Sequence, residues 1–129
     1  MTKNLKLPHT HNDAEKEKNV IRSLPGVEEI SRVAGAMKQL GDPTRARIFW
    51  LLCHAEECVI NIAALMDMSS PAVAHHLKLL KGADLIVSRR EGKEMYYRAA
   101  DSDLVEALHH SLETVMDIAC PKQPDQDRL

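Results

Sequence analysis

The segment from Val59 to Gly82 constrains this chain more than any other. Val59 to Met66 reads as a short helix carrying Ile60, Ala63 and Ala64, and Asp67-Met68-Ser69-Ser70 is a polar break. Ser70 then stands as N-cap with Pro71 at the first helical position, where a missing N–H costs nothing. The second helix runs to about Lys81, buries Val73, Leu77 and Leu80, and stops at Gly82. Two short helices joined by a tight polar turn, the second firmly capped, predict a helix-turn-helix.

The flanking segments extend that plan. Leu85-Ile86-Val87-Ser88-Arg89-Arg90 and Met95-Tyr96-Tyr97 are strand-like runs around Glu91-Gly92-Lys93, a β-hairpin pattern with a cationic tip. Upstream, Ile30, Val33, Ala34, Met37 and Leu40 recur at helical spacing, and Gly41 ends that helix. Asp42-Pro43 opens another, with Ile48, Phe49, Leu51 and Leu52 on its buried side. Asp101-Ser102-Asp103 caps a last helix, with Asp103 and Glu106 in a capping-box pattern. Leu104, Leu108, Leu112, Val115 and Ala119 form its stripe, and Pro121 ends it. The expected fold is mainly α with a small β-hairpin: a winged helix-turn-helix with an extra helix at each end. The stripes of those end helices exceed what so small a domain can cover alone, so they are expected to pair across a two-fold axis as dimerisation helices. Residues 1–26 are expected to form a flexible N-terminal arm with a short helix around Val20, Ile21 and Leu24. Residues 27–120 are expected to form the winged domain, and 121–129 a disordered tail.

Composition excludes several classes. No apolar run approaches the roughly 20 residues of a membrane span, and the first residues lack an apolar signal core. Cys53, Cys58 and Cys120 are too few and too odd for a disulfide framework, which fits a reducing cytoplasm. No P-loop, G-x-S-x-G or H-E-x-x-H pattern points to an enzyme. Trp50 and the tyrosines read as core and hairpin packing. The net charge of −2 hides an uneven distribution. Residues 68–98 carry six cations (Lys78, Lys81, Arg89, Arg90, Lys93, Arg98) against Asp84, Glu91 and Glu94, while residues 99–129 carry seven carboxylates against Lys122 and Arg128. A local cationic stretch on an acidic chain is a footprint for a polyanion.

A helix of this kind reads DNA with the residues of its first turns. Here those are Ser69, Ser70, Ala72, His75 and His76, with Lys78 and Lys81 nearer the phosphates and Arg89, Arg90 and Lys93 on the wing. Adjacent histidines point about 100° apart on a helix, so one of His75 and His76, not both, is expected to read a base.

The stretches Gly41-Asp42-Pro43-Thr44-Arg45, Cys58-Val59-Ile60-Asn61-Ile62-Ala63, Ser70 to Leu80, Arg89-Arg90-Glu91-Gly92-Lys93 and Tyr96-Tyr97 together resemble the ArsR/SmtB repressors. The resemblance covers roughly residues 28–118. It implies a homodimeric winged-helix repressor that binds double-stranded operator DNA and leaves it when an inducer binds: a metal ion, arsenite or a thiol oxidant.

The sensing residues match less well. Where family members carry aspartate and histidine ligands on the last helix, this chain has Asp101, Asp103, Thr114 and Asp117. Both histidines are missing, and a displaced set of Asp101, Asp103, His110, Glu113 and Asp117 is one expectation for zinc or a similar ion. A second resembles the family's Cys-Val-Cys-Asp location, here Cys58-Val59-Ile60-Asn61, joined by His9 and His11 of the arm for a thiophilic ion. A third is a thiol or persulfide switch using Cys53 and Cys120, each about one turn later than in the family. A metal-binding module without specific DNA binding is the remaining alternative.

Overall fold

A computed structural model of the chain describes residues 7–9, 13–118 and 120–121. His11, Ala119 and the tail expected over 122–129 lie outside the described residues. Two compact units result, residues 1–32 and 33–129.

In the first unit, helix α1 (Ala14–Ser23) begins well before the Val20 expected from sequence. Asp13 explains the early start: its carboxylate accepts the Lys16 N–H at 2.9 Å, and Glu15 and Glu17 sit in the first turn, where the helix dipole favours negative charge.

Helix α2 (Val27–Gln39) crosses the boundary, and only Ala36 on it is buried. The second unit continues with α3 (Pro43–His54), β1 (Glu57–Cys58), α4 (Val59–Met66), α5 (Ser70–Gly82), β2 (Ile86–Glu91), β3 (Glu94–Ala99) and α6 (Asp103–Met116). Its core is aliphatic around one aromatic ring: Phe49 and Ile48 of α3, Ile62 of α4, Val73, Leu77 and Leu80 of α5, Leu85 and Ile86, and Val105 and Leu108 of α6. Asp42 caps α3 as expected, accepting the Arg45 N–H at 2.9 Å.

Several boundaries differ from expectation, each for a local reason. Ser69, not Ser70, caps α5, its hydroxyl accepting the Ala72 N–H at 3.3 Å; Ser70 and Pro71 occupy the first turn, whose N–H groups lack helical partners anyway. Ser102 caps α6 through the Val105 N–H, displacing the capping box expected from Asp103 and Glu106. Helix α5 ends at Gly82 as expected, though Gly82 does not hold the left-handed position, and α6 stops at Met116, ahead of Pro121. Asp84 (φ 61°) and Asp117 (φ 56°) take the left-handed position instead, as Asp67 (φ 54°) does after α4. After each helix the next N–H returns to a carbonyl five residues back: Met68 to Ala63, Leu85 to Leu80 and Ile118 to Glu113, each at 3.0 Å. Aspartate tolerates this conformation better than most side chains, so these left-handed positions need no glycine.

The hairpin forms as expected, Glu91 opposite Glu94, with Gly92 (φ 63°) leading the two-residue turn. A third strand was not anticipated. Glu57 and Cys58 pair antiparallel with Tyr97 and Tyr96, giving the order β1-β3-β2. Two residues are too short to show alternation, so this strand leaves no sequence signal.

Candidate functional site

Burial of Val73, Leu77 and Leu80 fixes the rotation of α5. Ser69, Ser70, His75 and Lys78 are then exposed and Ala72 is half-buried. The two histidines separate as the helical geometry requires. His75 is exposed, whereas His76 packs on the start of α3, with Nδ1 3.2 Å from the Arg45 guanidinium and 4.0 Å from Asp42. A guanidinium only donates, so Nδ1 accepts and His76 is neutral there. Burial holds its pKa below the usual value, more than the Asp42 carboxylate raises it. His75 is thus the histidine available for a base edge.

The wing divides in the same way. Arg89 donates to both oxygens of Glu56 (2.9 and 2.5 Å) and to Glu91 (2.7 Å), and lies over the Tyr96 ring, 5.1 Å from its centroid. These hydrogen bonds strengthen its proton hold and keep the Glu56 carboxyl below the ordinary range. Lys81 donates to Ser88 at 2.6 Å, tying α5 to β2. Arg90 and Lys93 are exposed and make no side-chain hydrogen bond or ion pair among the described residues. Arg89 and Lys81 therefore hold the wing in place, and Arg90 and Lys93 on the wing and Lys78 on α5 are the available cations.

A second polar constellation lies between α3 and α6. His109 and Glu113 are four residues apart on α6 and share one face. His54 stands on the last turn of α3, one turn beyond Trp50. The Nε2 atoms of His54 and His109 are 2.9 Å apart, and each lies near Glu113 Oε2, at 3.1 and 3.0 Å. Trp50 Nε1 donates to the same oxygen at 3.0 Å, and the Trp50 ring is tilted against His54 with centroids 4.5 Å apart. Cys120, brought back by the turn at Asp117, donates to Glu113 Oε1 at 3.1 Å and lies 3.9 Å from His109 Nε2. Burial pushes the Glu113 carboxyl up, yet bonds from Cys120, Trp50, His109 and His54 outweigh it and hold the pKa down at about 2. The bond to Glu113 in turn pushes the Cys120 thiol up. One donor atom from each of His54, His109, Glu113 and Cys120 lies within 4.8 Å of every other. Two imidazoles, a carboxylate and a thiol suit a zinc-class ion.

The model of the bacterial regulatory protein family named for arsR matches residues 42–88, which hold α3, α4, α5 and the start of the wing. A transcriptional repressor SmtB homologue from Synechocystis sp. is 32% identical over 91 residues, spanning 70% of this chain and 69% of that protein. The chain belongs to the ArsR family. A cadmium resistance regulatory protein CadC homologue from Staphylococcus aureus is 39% identical over 70 residues, 54% of this chain and 58% of that one. Among solved structures, the homodimeric winged helix-turn-helix DNA-binding domain of a possible ArsR-family regulator from Mycobacterium bovis matches with a TM-score of 0.63. Its identity is 28%, and the match covers 84% of this chain and 91% of that domain.

Within this ArsR-family fold, the sensing residues expected from sequence do not gather in the single chain. Of Asp101, Asp103, His110, Glu113 and Asp117, only Glu113 joins the group of metal-capable side chains found among the described residues. His110 is exposed, one residue and about 100° from His109. Asp117 ends α6, and Asp103 lies in its first turn, three turns from Glu113. Of the second expected set, Cys58 is buried where β1 meets Tyr96, and His9 is exposed in the first unit. Cys53 is half-buried; burial first, then the charges of Glu113 and Cys120, push its thiol up to about 12. His54, His109 and Trp50 were not anticipated. The pairs Trp50/His54 and His109/Glu113, each at i, i+4, were the signal available.

Proposed function

We propose that this protein is a homodimeric repressor that binds operator DNA through α5 and the wing and is released by a metal ion. The arrangement of α5 carries the reading: its apolar face is sunk in the core, and the opposite face presents His75 and Lys78 next to Arg90 and Lys93. Such a helix fits a major groove, with its first turn at base edges and the wing on phosphates. Ser69, Ser70 and Ala72 flank His75 for hydrogen bonds or a thymine methyl. Dimerisation is supported by apolar side chains left in solvent: Met37 on α2, Val115 (86% exposed) and Met116 on α6, and Ile118 just beyond. A pair of copies places two α5 helices for two half-sites one helical turn apart. The relatives named for SmtB and for cadmium resistance support a metal ion as inducer.

Release requires the inducer to favour a geometry that no longer fits both half-sites. Helix α3 is the element that can connect the two events. Its start holds His76 of α5 through Arg45, its end carries His54, and two residues further Glu56 clamps Arg89 of the wing. A shift at His54 is therefore transmitted over one rigid helix and one ion pair.

Titration of the protein against labelled DNA from upstream of its own coding sequence tests this reading. Saturable binding with a dimer per site is expected, weakened tenfold or more by zinc or cadmium and restored by chelator. Binding no tighter than to unrelated DNA, or a particle that stays monomeric at micromolar concentration, would refute it.

A further inference from the structure

We infer that His54, His109, Glu113 and Cys120 of a single subunit bind one divalent transition-metal ion of the zinc class. The inference deepens the proposed function and rests on it only for the statement that a metal ion is the inducer.

The donor set argues first. Two imidazole nitrogens, one carboxylate oxygen and one sulfur exclude the hard, oxygen-seeking ions and match zinc, cobalt(II) or cadmium. Spacing argues next. Bonds of about 2.0–2.3 Å in a tetrahedron separate neighbouring ligand atoms by roughly 3.4 Å. The separations of His109 and Glu113 from each other and from His54 and Cys120 run from 2.9 Å (His54 to His109) to 3.9 Å (Cys120 to His109), and all four ligand atoms lie within 4.8 Å of one another. The third argument is support. Trp50 donates to Glu113 Oε2 and so fixes the carboxylate from outside the ligand set, as outer-shell partners do in metal sites. Glu113 is the one charged side chain buried among the described residues, and it faces donors on every side. Access comes from Cys120, which is exposed, so an ion enters past the sulfur and displaces its proton.

All four ligands come from one chain, so the site forms without a partner copy. That separates it from the expected set on the last helix, which bridges subunits. Cys53 and His110 stand outside the group of ligand atoms that lie within 4.8 Å of one another, and His110 is exposed.

The full-length protein, stripped with chelator and kept reduced, is titrated with cobalt(II) and then zinc in the absence of DNA. One cobalt per chain is expected, with a thiolate-to-cobalt charge-transfer band in the near ultraviolet and the intense visible bands of four-coordination. A change in the emission of Trp50, the chain's single tryptophan, should accompany them. Cys120→Ser should abolish the charge-transfer band, weaken binding by tenfold or more, and keep the tryptophan response at higher cobalt. His109→Ala should weaken binding by a hundredfold or more, and thermal melts would check that it still folds. Cys53→Ser, Cys58→Ser and His110→Ala should bind cobalt as the parent does. A charge-transfer band that survives Cys120→Ser or disappears with Cys53→Ser, a weak six-coordinate spectrum, or an affinity lost with His110→Ala would overturn the assignment. Operator titration separates the two ideas: cobalt bound as described without release from DNA leaves the site and removes the inducer, whereas tight operator binding without cobalt uptake removes the site and leaves the repressor.

Discussion

On the face formed by α5 and the wing, His75, Lys78, Arg90 and Lys93 are exposed and make no hydrogen bond or ion pair with another side chain among the described residues. Between α3 and α6, Trp50, His54, His109 and Cys120 all converge on Glu113, and His109 also bonds to His54. The first region keeps its donors and charges for something outside the chain. The second satisfies its donors internally until a stronger centre of charge replaces the bonds. An interface for a large polyanion and a pocket for a small cation differ in this way. A phosphate backbone binds charges that stay in water until contact, whereas a metal ion needs ligands already gathered, because gathering them costs conformational entropy.

The sharpest way to break this contrast is the salt dependence of operator binding. Each phosphate contact contributes about 0.9 to the slope of log affinity against log salt. Replacing Arg90 and Lys93 together with alanine should make the slope shallower by roughly 3 to 4 for a dimer, with at least tenfold weaker binding at moderate salt. Arg89→Ala should leave the slope within about 1 of the parent, since Glu56 and Glu91 already neutralise that guanidinium. Its loss of affinity would come from a wing no longer held against Glu56. Equal slopes for parent and double variant would show that the free cations face solvent alone.

A smaller effect separates the two histidines. His75→Ala should cost about 1–3 kcal/mol at one base pair of each half-site and relax discrimination there, without altering the thermal melt. His76→Ala should leave the base preference intact. The check is a panel of operators carrying single substitutions, and a preference that follows His76 would reverse the assignment.

The contrast also explains what could be read from sequence. The proposed DNA-reading face is built from neighbours: α5 and the hairpin occupy residues 70–99, so periodicity, the prolines and the charged turn suggest it. Sequence did not reveal which members were free. The bond from Arg45 to His76 spans 31 positions and that from Arg89 to Glu56 spans 33. The metal-capable cluster joins residues 54, 109, 113 and 120, and its nearest pair across helices is 55 apart. Only the packing of α3 on α6 decides that His109 and not His110 turns inward, because spacing along one helix places either histidine within reach of Glu113. The end of α6 escapes sequence for a different reason: Asp117 takes the left-handed position ahead of Pro121, as Asp67 and Asp84 do after α4 and α5.

The smallest expected effect concerns pH and His76. Its Nδ1 accepts from Arg45, so the folded state favours the neutral ring, and burial lowers its pKa further. Three charged or titratable groups face it: Asp42 opposes the shift, and Arg45 and His75 reinforce it. A folded pKa below the unfolded 6.5 means that the unfolded chain binds more protons between the two values. The contribution of His76 is therefore complete above that unfolded value and is lost as pH falls through the folded one. In chelator, the parent should lose more thermal stability than His76→Gln between pH 7.5 and 5.5, by no more than about 3 °C. The two proteins differ at this position alone, so the difference between them reports this contact. A variant that loses as much as the parent would mean that the α3–α5 junction does not depend on an uncharged ring, and Arg45 would then be held by Asp42 and the Gln39 carbonyl alone.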